Sequence, residues 1–352
     1  MKRVGNIYDQ ICDVGNIKTA IMKSSLGKRD QRRVKHVINN ADRYAERISA
    51  LLRAKLYIPS PYEVKTIRDG ASQKTRTIHK PRYYPDQIIH WALMLQLQPL
   101  IMRGMYAYSC GSVPGRGTSL GQKTLRKWLD KDRKGTKYCL KMDITKFYPS
   151  VDNESLKAAF RHNIKDKDCL WLIDTIIDSS VGLPIGNYTS QWFANFFLQN
   201  VDHIIKERLG VPYYIRYVDD LVLLGPNKKK LHAARREIGA YLTSIKLTLK
   251  PNWQVFRVDC RAIDFLGLRF YRDRTTLRKR NALRIRRRMR RIGRKPRLTY
   301  RDACAVISYW GWIKRTNSYR FHHEHVKPHV SIAEARRVVS NQARELSNRP
   351  LI

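Results

Sequence analysis

The stretch that decides the fold is Tyr213-Tyr214-Ile215-Arg216-Tyr217-Val218-Asp219-Asp220-Leu221-Val222-Leu223-Leu224. Two adjacent carboxylates, Asp219 and Asp220, stand between two short apolar runs. Each run is long enough for a strand and too short for an ordinary helix, so the pattern predicts a β-hairpin with residues 218–220 at or near its turn. Like charges in an apolar setting repel, and desolvating each one costs free energy, which favours a bound cation. The alternative is an Asp-containing turn whose carboxylates face water.

A second stretch, residues 137–152 (KYCLKMDITKFYPSVD), predicts a strand that runs into Asp143 and breaks at a Pro-containing turn. A strand ending there beside the hairpin would bring Asp143 together with Asp219 and Asp220. Three carboxylates suit a pair of metal ions ~3.5–4 Å apart. In phosphoryl transfer, one such ion activates the attacking hydroxyl and the other stabilises the leaving oxygen. The two stretches together therefore indicate phosphoryl-transfer chemistry.

With these motifs in order, the sequence resembles the reverse transcriptases. The Tyr-x-Asp-Asp motif is residues 217–220, and the upstream Asp-x-x-x-Phe-Tyr motif is residues 143–148. Residues 182–191 (GLPIGNYTSQ) are similar to the Leu-Pro-x-Gly-x-x-x-Ser motif under the nascent base pair. The resemblance covers roughly residues 60 to 320. It implies an α+β right-hand polymerase fold with fingers, a palm of antiparallel sheet backed by helices, and a helical thumb.

The resemblance and the pattern of elements together predict four regions. Residues 1–58 form a basic helical extension, with apolar spacing from Val34 to Leu52 that suits an amphipathic helix. The fingers cover residues 59–136 and include a hairpin at 62–80 with Asp69-Gly70 as its turn signal. The palm covers residues 137–275, with part of the fingers at 153–180 and a short strand pair near 253–274. Residues 276–352 form the basic helical thumb and the C-terminal tail.

Two positions point to one branch of the family. Retroviral enzymes carry Gln where this chain has Ile185, and most retroviral and group II intron enzymes have Ser-Pro where it has Ser190-Gln191. Ile-Gly-x-x-x-Ser-Gln is similar to the reverse transcriptases of diversity-generating retroelements. Those enzymes copy a template RNA while misincorporating at adenines, and the cDNA replaces a variable region of a target gene. Ile185 cannot hydrogen-bond a template or nucleotide as Gln can, so checking of the new pair should be looser. Gln191 is expected to support this loop or contact the template.

For catalysis, the resemblance implies that Asp143 and Asp219 bridge two Mg²⁺ ions, for which Mn²⁺ could substitute. Asp220 is the third acid, and the backbone carbonyl of Ile144 is a further metal ligand. Lys250 is a candidate general acid for pyrophosphate, although Trp253 stands at the position where family members often carry that lysine.

The incoming dNTP is assigned to residues from three motifs. Arg76 resembles the fingers arginine that grips the triphosphate, where a guanidinium fork suits phosphate oxygens. Tyr148 occupies the place of an aromatic steric gate against the ribose 2′-hydroxyl, and the alternative is an ordinary core aromatic. Gly186, next to Ile185, would let backbone approach the base pair closely. The companion lysine is Lys74 or Lys65, and a solvated face is the other interpretation of both.

The charge of the chain predicts a polyanionic partner. The 352 residues hold 70 Lys or Arg against 29 Asp or Glu, a formal net charge of +41, far beyond what solubility needs. Residues 269–301 hold 16 Lys or Arg and one acid, Asp273, and in a helix such density repels itself unless phosphates neutralise it. We therefore expect contacts with template RNA and an RNA/DNA hybrid. The predicted nucleic-acid-binding residues are Arg116, Arg284, Arg286, Arg287, Arg288, Arg290, Arg291 and Lys314.

The remaining sequence features concern location, partners and alternatives. Six scattered cysteines form no Cys-x-x-Cys pair, the start leads into no apolar signal core, and no run approaches the ~18 residues of a membrane span. We expect a cytoplasmic protein, bacterial, archaeal or phage-encoded. The resemblance also implies a structured template RNA and a small oligomeric accessory variability protein. Two alternatives stay open: a reverse transcriptase of another prokaryotic class (group II intron-like or phage defence), and a non-catalytic RNA-binding scaffold, against which the intact carboxylates argue.

Overall fold

The computed structural model describes residues 3–68 and 75–347. Helices and strands occur in separate runs along the chain, and the paired strands within residues 63–80 and 263–277 are antiparallel, which confirms the predicted α+β class. The strands are β1 (Glu63–Arg68), β2 (Thr75–Lys80), β3 (Tyr138–Asp143), β4 (Tyr213–Tyr217), β5 (Asp220–Gly225), β6 (Gln254–Arg257), β7 (Ile263–Phe265), β8 (Leu268–Phe270) and β9 (Thr275–Leu277).

The helices are mostly amphipathic, and two short π-helical segments, Tyr83–Gln87 and Ile204–Arg208, lie among them. No helix within residues 3–68 and 75–347 is both long and apolar enough to cross a membrane. The α-helices are α1 (Tyr8–Cys12), α2 (Val14–Ser24), α3 (Arg32–Asn39), α4 (Ala41–Arg53), α5 (Ile88–Arg103), α6 (Thr118–Lys131), α7 (Phe147–Ser150), α8 (Asn153–Asn163), α9 (Lys167–Ile177), α10 (Tyr188–Phe197), α11 (Gln199–His203), α12 (Lys228–Ser244), α13 (Lys279–Gly293), α14 (Tyr300–Ile313), α15 (Tyr319–His325) and α16 (Ile332–Ser347).

A four-stranded sheet with the order β4-β5-β3-β6 carries the acidic motifs. The hairpin of β4 and β5 is confirmed, with Val218 and Asp219 as the two residues between the strands. Tyr214 and Ile215 in β4 and Leu221 to Leu224 in β5 are fully buried. Near-continuous apolar runs are what a strand covered on both faces requires. Because β5 lies beside β3, the carboxylate that ends β3 is placed next to the hairpin turn.

The N-terminal helices bury apolar side chains, and one acid, Asp166, ties the first of them to α9. Ile17, Ala20 and Ile21 of α2 are fully buried. Asp166 caps α9 by accepting from the N–H groups of Asp168 and Cys169, and its other oxygen accepts from the Ile7 and Tyr8 N–H groups at 2.6 and 2.9 Å. One carboxylate therefore fixes the start of α1 and the start of α9 together.

The structure corrects two expectations about secondary structure. The apolar spacing from Val34 to Leu52 belongs to two helices rather than one, because the backbone of Asn40 (φ −121°, ψ 35°) leaves the helical region between α3 and α4. The strand pair expected near residues 253–274 is instead β6 followed by a three-stranded antiparallel sheet, β7-β8-β9, which ends at Leu277. The short Leu266-Gly267 connection makes the first hairpin of that sheet.

The fingers hairpin is present as β1 and β2, antiparallel with Glu63 opposite Lys80 and Arg68 opposite Thr75. Its predicted turn at Asp69-Gly70 and the candidate Lys74 lie outside the described residues. The chain divides into two compact units: residues 1–117, 140–223 and 229–254 form the first, and residues 118–139, 224–228 and 255–352 form the second. The boundaries of fingers, palm and thumb stay predictions.

Candidate active site

The hairpin turn presents Asp219 from a strained backbone. Val218, the residue before it, has φ +55°, a left-handed conformation that is unfavourable for a β-branched side chain and costs about 1–3 kcal/mol. Its neighbour Gly111 permits this geometry, because a Cβ added at Gly111 would stand 2.4 Å from Val218 Cγ2. The backbone of the turn that carries Asp219 is therefore strained, and it is held in this conformation by the surrounding packing.

Asp143 ends β3 beside this turn. The Ile144 N–H donates to the Asp219 carbonyl at 3.3 Å, and the Lys250 N–H donates to the Asp143 carbonyl at 2.8 Å. The Lys250 ammonium also hydrogen-bonds and ion-pairs with Asp143 Oδ1. The backbone therefore connects Asp143 to Asp219 on one side and to Lys250 on the other.

The electrostatics agree with this proximity. Burial raises the pKa of Asp219, the negative charge of Asp143 raises it further, and the positive charges of Lys250 and Arg76 oppose the rise. Asp220 forms a separate ion pair: its Oδ2 lies 3.6 Å from Lys141 Nζ. Two of the three predicted acids thus share one electrostatic environment, and the third is paired with a lysine of β3.

The Asp143–Asp219 pair fits a hard divalent cation. Carboxylate oxygens are the ligands that Mg²⁺ prefers, and Mg²⁺ is often bound by only one or two carboxylates together with substrate phosphates. Because the negative charge of Asp143 raises the pKa of Asp219, a cation between the two carboxylates would relieve their repulsion. Across residues 3–68 and 75–347, no three His, Cys, Asp or Glu side chains form a group that could hold a metal ion.

Tyr148 lies in the same electrostatic environment. Burial raises the pKa of its hydroxyl to about 12, with contributions in the same direction from Asp219 and Tyr217 and an opposing one from Arg76. Its carbonyl accepts from the Leu183 N–H at 2.8 Å, which joins the segment after Asp143 to the 182–186 loop. The ring of Tyr148 is half-buried, whereas that of Phe147 beside it is 2% exposed and belongs to the core.

The 185–186 loop supports the fingers hairpin. The His79 N–H donates to the Ile185 carbonyl at 2.8 Å. Gly186 has φ +136°, and a Cβ added there would stand 2.3 Å from the His79 carbonyl oxygen. The glycine was expected to allow close approach of a base pair; in this structure the close approach is to β2. Both Ile185 and Gln191 are accessible, the latter on the exposed side of α10.

Arg76 is exposed on β2, opposite Ile67 in the hairpin register. Its charge opposes the rise in the pKa of both Asp219 and Tyr148, so the guanidinium lies within electrostatic reach of both. Lys65, a candidate companion lysine, ion-pairs with Glu63 at 2.7 Å. Trp253 lies under the Arg235 guanidinium, 4.5 Å from the ring centre. The lysine that contacts Asp143 is Lys250.

The predicted nucleic-acid-binding arginines have different surroundings. On α13, Ile285, Met289 and Ile292 are buried and form the apolar face, while Arg287, Arg290 and Arg291 are exposed, as Lys314 is. Three others make internal contacts. Arg116 donates to the Tyr106 carbonyl at 2.6 Å, Arg288 ion-pairs with the buried Asp302 at 2.6 Å, and Arg284 lies over the Tyr309 ring.

Sequence reasoning missed several residues around the site. Arg216 is fully buried directly behind the Val218–Asp219 turn, and Asn195 and Asp202 hydrogen-bond to it. Lys141, which pairs with Asp220, was also missed. One signal was available: an arginine inside an otherwise apolar strand needs a buried partner.

Comparison with known proteins identifies the class of protein that this fold and site define. The family model described as reverse transcriptase (RNA-dependent DNA polymerase) matches residues 69–270, more than half of the chain, and this range contains all three acids. The chain belongs to the reverse transcriptase family. No curated protein sequence matches it significantly.

Among solved structures, similarity is found to yeast telomerases. Apo telomerase from Candida tropicalis truncated from its C-terminal domain is 11% identical with a TM-score of 0.45, covering 63% of this chain and 56% of that one. Apo telomerase from the same organism is 12% identical with a TM-score of 0.48, and the match covers 71% of this chain and 51% of that one. Telomerase from Candida albicans in complex with a TWJ fragment of telomeric RNA is 12% identical with a TM-score of 0.46, and the match covers 77% of this chain and 55% of that one. The chain spans about half the length of these structures.

Proposed function

We propose that this protein is an RNA-directed DNA polymerase that copies a structured template RNA into adenine-mutagenised cDNA for diversity-generating retrohoming. The observation that carries the polymerase proposal is the pairing of Asp143 and Asp219, with Arg76 and Tyr148 in the same electrostatic environment. A carboxylate pair, a phosphate-binding guanidinium and a ring beside them are the parts that nucleotidyl transfer from a dNTP needs.

In this proposal Asp143, Asp219 and the Ile144 carbonyl would hold two Mg²⁺ ions, or Mn²⁺ in their place, with Asp220, which lies beside Lys141, as the third acid. When bound, the ions lower the pKa of the attacking 3′-hydroxyl and stabilise the charge on the leaving pyrophosphate. Arg76 grips the triphosphate through its guanidinium fork, with Lys74 as a candidate partner. Lys250 Nζ, already at Asp143, is the candidate proton donor to the leaving oxygen.

Tyr148, the loop at residues 182–187 and Gln191 of α10 would act on selectivity rather than on the chemical step. The half-buried ring of Tyr148 would exclude a ribose 2′-hydroxyl by bulk. Ile185 and Gly186 would lie under the nascent base pair, and Gln191 would support the template side. Ile185 offers an apolar side chain where a hydrogen bond could otherwise check the pair, which supports low fidelity.

A groove of about 1380 Å³ supports a path for single-stranded template. It is lined by α3, the π-helical segment Tyr83–Gln87 and the base of the fingers hairpin, and it reaches Gly186. Asn187, next to that glycine, donates to the Tyr62 hydroxyl at 2.8 Å. Aromatic side chains among basic ones suit stacked bases and phosphates. The basic and aromatic residues of the groove are Lys28, Arg32, Arg33, Lys80, Arg82, His36, Tyr44, Tyr62, Tyr83 and Tyr84.

The positive charge in this groove exceeds what its own acid can balance. Burial lowers the pKa of Lys28, and the nearby charge of Lys80 lowers it further. Among the lining residues that the structure describes, Glu63 is the one acid, and it is shared between Lys65 and Lys80. A phosphate backbone would relieve this repulsion.

The test of polymerase activity is primer extension on an RNA template with wild type, Asp219→Asn and the control Asp9→Asn. Asp219→Asn removes the charge of the paired carboxylate, so kcat should fall by at least about 1,000-fold, equivalent to about 4 kcal/mol of barrier. Asp9 is exposed on α1, and its substitution should leave kcat within about twofold. Extension that survives in Asp219→Asn would overturn the proposal and favour the RNA-binding scaffold.

The assignment to the diversity-generating branch rests on Ile185 and Gln191 and on the sequence resemblance to reverse transcriptases of that branch. A reverse transcriptase of another prokaryotic class is the alternative, and it would share the same carboxylates. The small oligomeric accessory protein and the cytoplasmic location are proposed on the resemblance too.

A further inference from the structure

The strongest unexplained feature is an ion pair buried behind the catalytic turn. Arg216 on β4 is 0% exposed and Asp202 on α11 is 1% exposed. The two are joined in a fork: Arg216 Nε donates to Asp202 Oδ1 at 2.8 Å and Nη2 donates to Oδ2 at 2.6 Å. A buried ion pair often contributes little net stability, because desolvation offsets the attraction. Its value here lies in the geometry that it fixes.

The third nitrogen of the guanidinium reaches the turn itself. Arg216 Nη1 donates to the Val218 carbonyl at 3.0 Å and to Asn195 Oδ1 at 3.2 Å. Val218 has the left-handed backbone described above, and Gly111 packs against its other side. The strained residue is therefore held between a glycine and a guanidinium that Asp202 has already oriented.

Asn195 extends this network into α10, the helix that follows the 185–187 loop. Its Nδ2 donates to the Gly111 carbonyl at 2.8 Å and to the Gln191 carbonyl at 3.0 Å. Asn195 thus contacts the glycine that packs on Val218, the guanidinium that holds Val218, and the helix that carries Gln191. Backbone hydrogen bonds from Arg216 N to Tyr108 O and from Cys110 N to Arg216 O keep the intervening segment in register.

We propose that Arg216 and Asn195 are positioning residues: Arg216 fixes the Val218 turn and with it the direction of Asp219, and Asn195 fixes that turn relative to α10 and the loop before it. This inference rests on the proposed polymerase function. Both side chains are fully buried, so both would act through Asp219 rather than on the substrate directly.

The experiment compares Arg216→Lys with Tyr214→Phe in primer extension under saturating primer–template. Lysine keeps the charge for Asp202 but lacks the fork that reaches Val218 at the same time. Tyr214 donates to the same carboxylate, Asp202 Oδ1, at 2.7 Å, yet its hydroxyl does not bond to the turn. Arg216→Lys should lower kcat at least about 10-fold with the dNTP KM within about threefold, whereas Tyr214→Phe should keep kcat within about twofold.

A second readout does not depend on activity. Hydrogen–deuterium exchange of the peptide covering residues 216–222 should be faster in Arg216→Lys than in wild type, and unchanged in Tyr214→Phe. If Arg216→Lys does not fold, Asn195→Ala decides the question, because it leaves the Arg216–Asp202 pair intact; it should show the same kcat loss and faster exchange in the turn.

Equal kcat and equal exchange in wild type and the variants, with only a lower melting temperature, would overturn the positioning role and leave the network purely structural. Failure of the polymerase function itself looks different: wild type would not extend a primer, and Asp219→Asn would be indistinguishable from it.

Discussion

Gly186 shows how one residue can couple two parts of the site. Its φ of +136° belongs to a region that residues with a Cβ rarely adopt, and the space that a Cβ would need is already filled by the His79 carbonyl. The constraint comes from β2, the strand that also carries Arg76.

We predict that Gly186→Ala displaces β2 and weakens nucleotide binding. The dNTP KM in primer extension should rise by at least about 10-fold, because Arg76 moves with the strand. Gly210→Ala is a matched control, since Gly210 also has a positive φ (+57°) but nothing within 4 Å of the added Cβ; it should cost about 1 kcal/mol of stability and leave KM unchanged. An unchanged KM in Gly186→Ala would mean that β2 does not position the triphosphate.

At the scale of elements, the groove between α3 and the fingers hairpin joins parts of the chain that are far apart in sequence. Arg32 and Arg33 open α3, while Lys80 ends β2 and Arg82 precedes the π-helical segment. Each is an ordinary basic residue on its own.

We predict that the groove binds the template 5′ of the templating base. For wild type, affinity should rise as the single-stranded template overhang lengthens from none to several nucleotides. Arg32→Ala/Arg33→Ala should lose most of that gain and keep the affinity for a blunt duplex. It should also flatten the log–log salt dependence by about 0.7 for each phosphate that is no longer neutralised. Filter binding or fluorescence anisotropy measures the gain in affinity with overhang length, the affinity for a blunt duplex and the salt dependence.

The control for this prediction removes the same charge from the same region. Lys23 on α2 and Lys35 on α3 are exposed and lie outside the groove lining. Lys23→Ala/Lys35→Ala should keep the gain with overhang length; if it loses as much as the arginine variant, net charge rather than the groove explains the binding.

The secondary-structure elements also show which parts of the fold and of the candidate site could be predicted from the sequence. The hairpin of β4 and β5 and the strand that ends at Asp143 follow from local patterns of apolar residues and turn formers, so they could be predicted. The contacts of Lys250 with Asp143, and of His79 with Ile185, join residues about a hundred positions apart. Arg216 and Asn195 depend on how α10 and α11 pack behind the sheet, which no local pattern specifies.

At the scale of the whole molecule, a net charge of +41 indicates a polyanion partner but not which one. The family match gives the class of enzyme, and the branch depends on a few residues in one loop.

We predict an adenine-specific error pattern when cDNA made from a defined RNA template is sequenced. Errors at template adenines should exceed those at the other three bases by at least about 10-fold, as the resemblance to diversity-generating enzymes implies. Ile185 would contribute generally looser checking of the new pair, so Ile185→Gln should lower the error rate at all four template bases. Errors spread evenly over the four template bases would reject the diversity-generating branch while leaving the polymerase intact.

The hydrogen bond from His79 to the Ile185 carbonyl has a mechanical consequence. It ties the end of β2 to the loop at Ile185, so a displacement of one is passed on to the other. In the proposed polymerase, a motion of β2 that brought Arg76 onto a triphosphate would therefore also shift the loop on which the new base pair would rest. Nucleotide binding and selection of the correct base pair would then depend on the same movement.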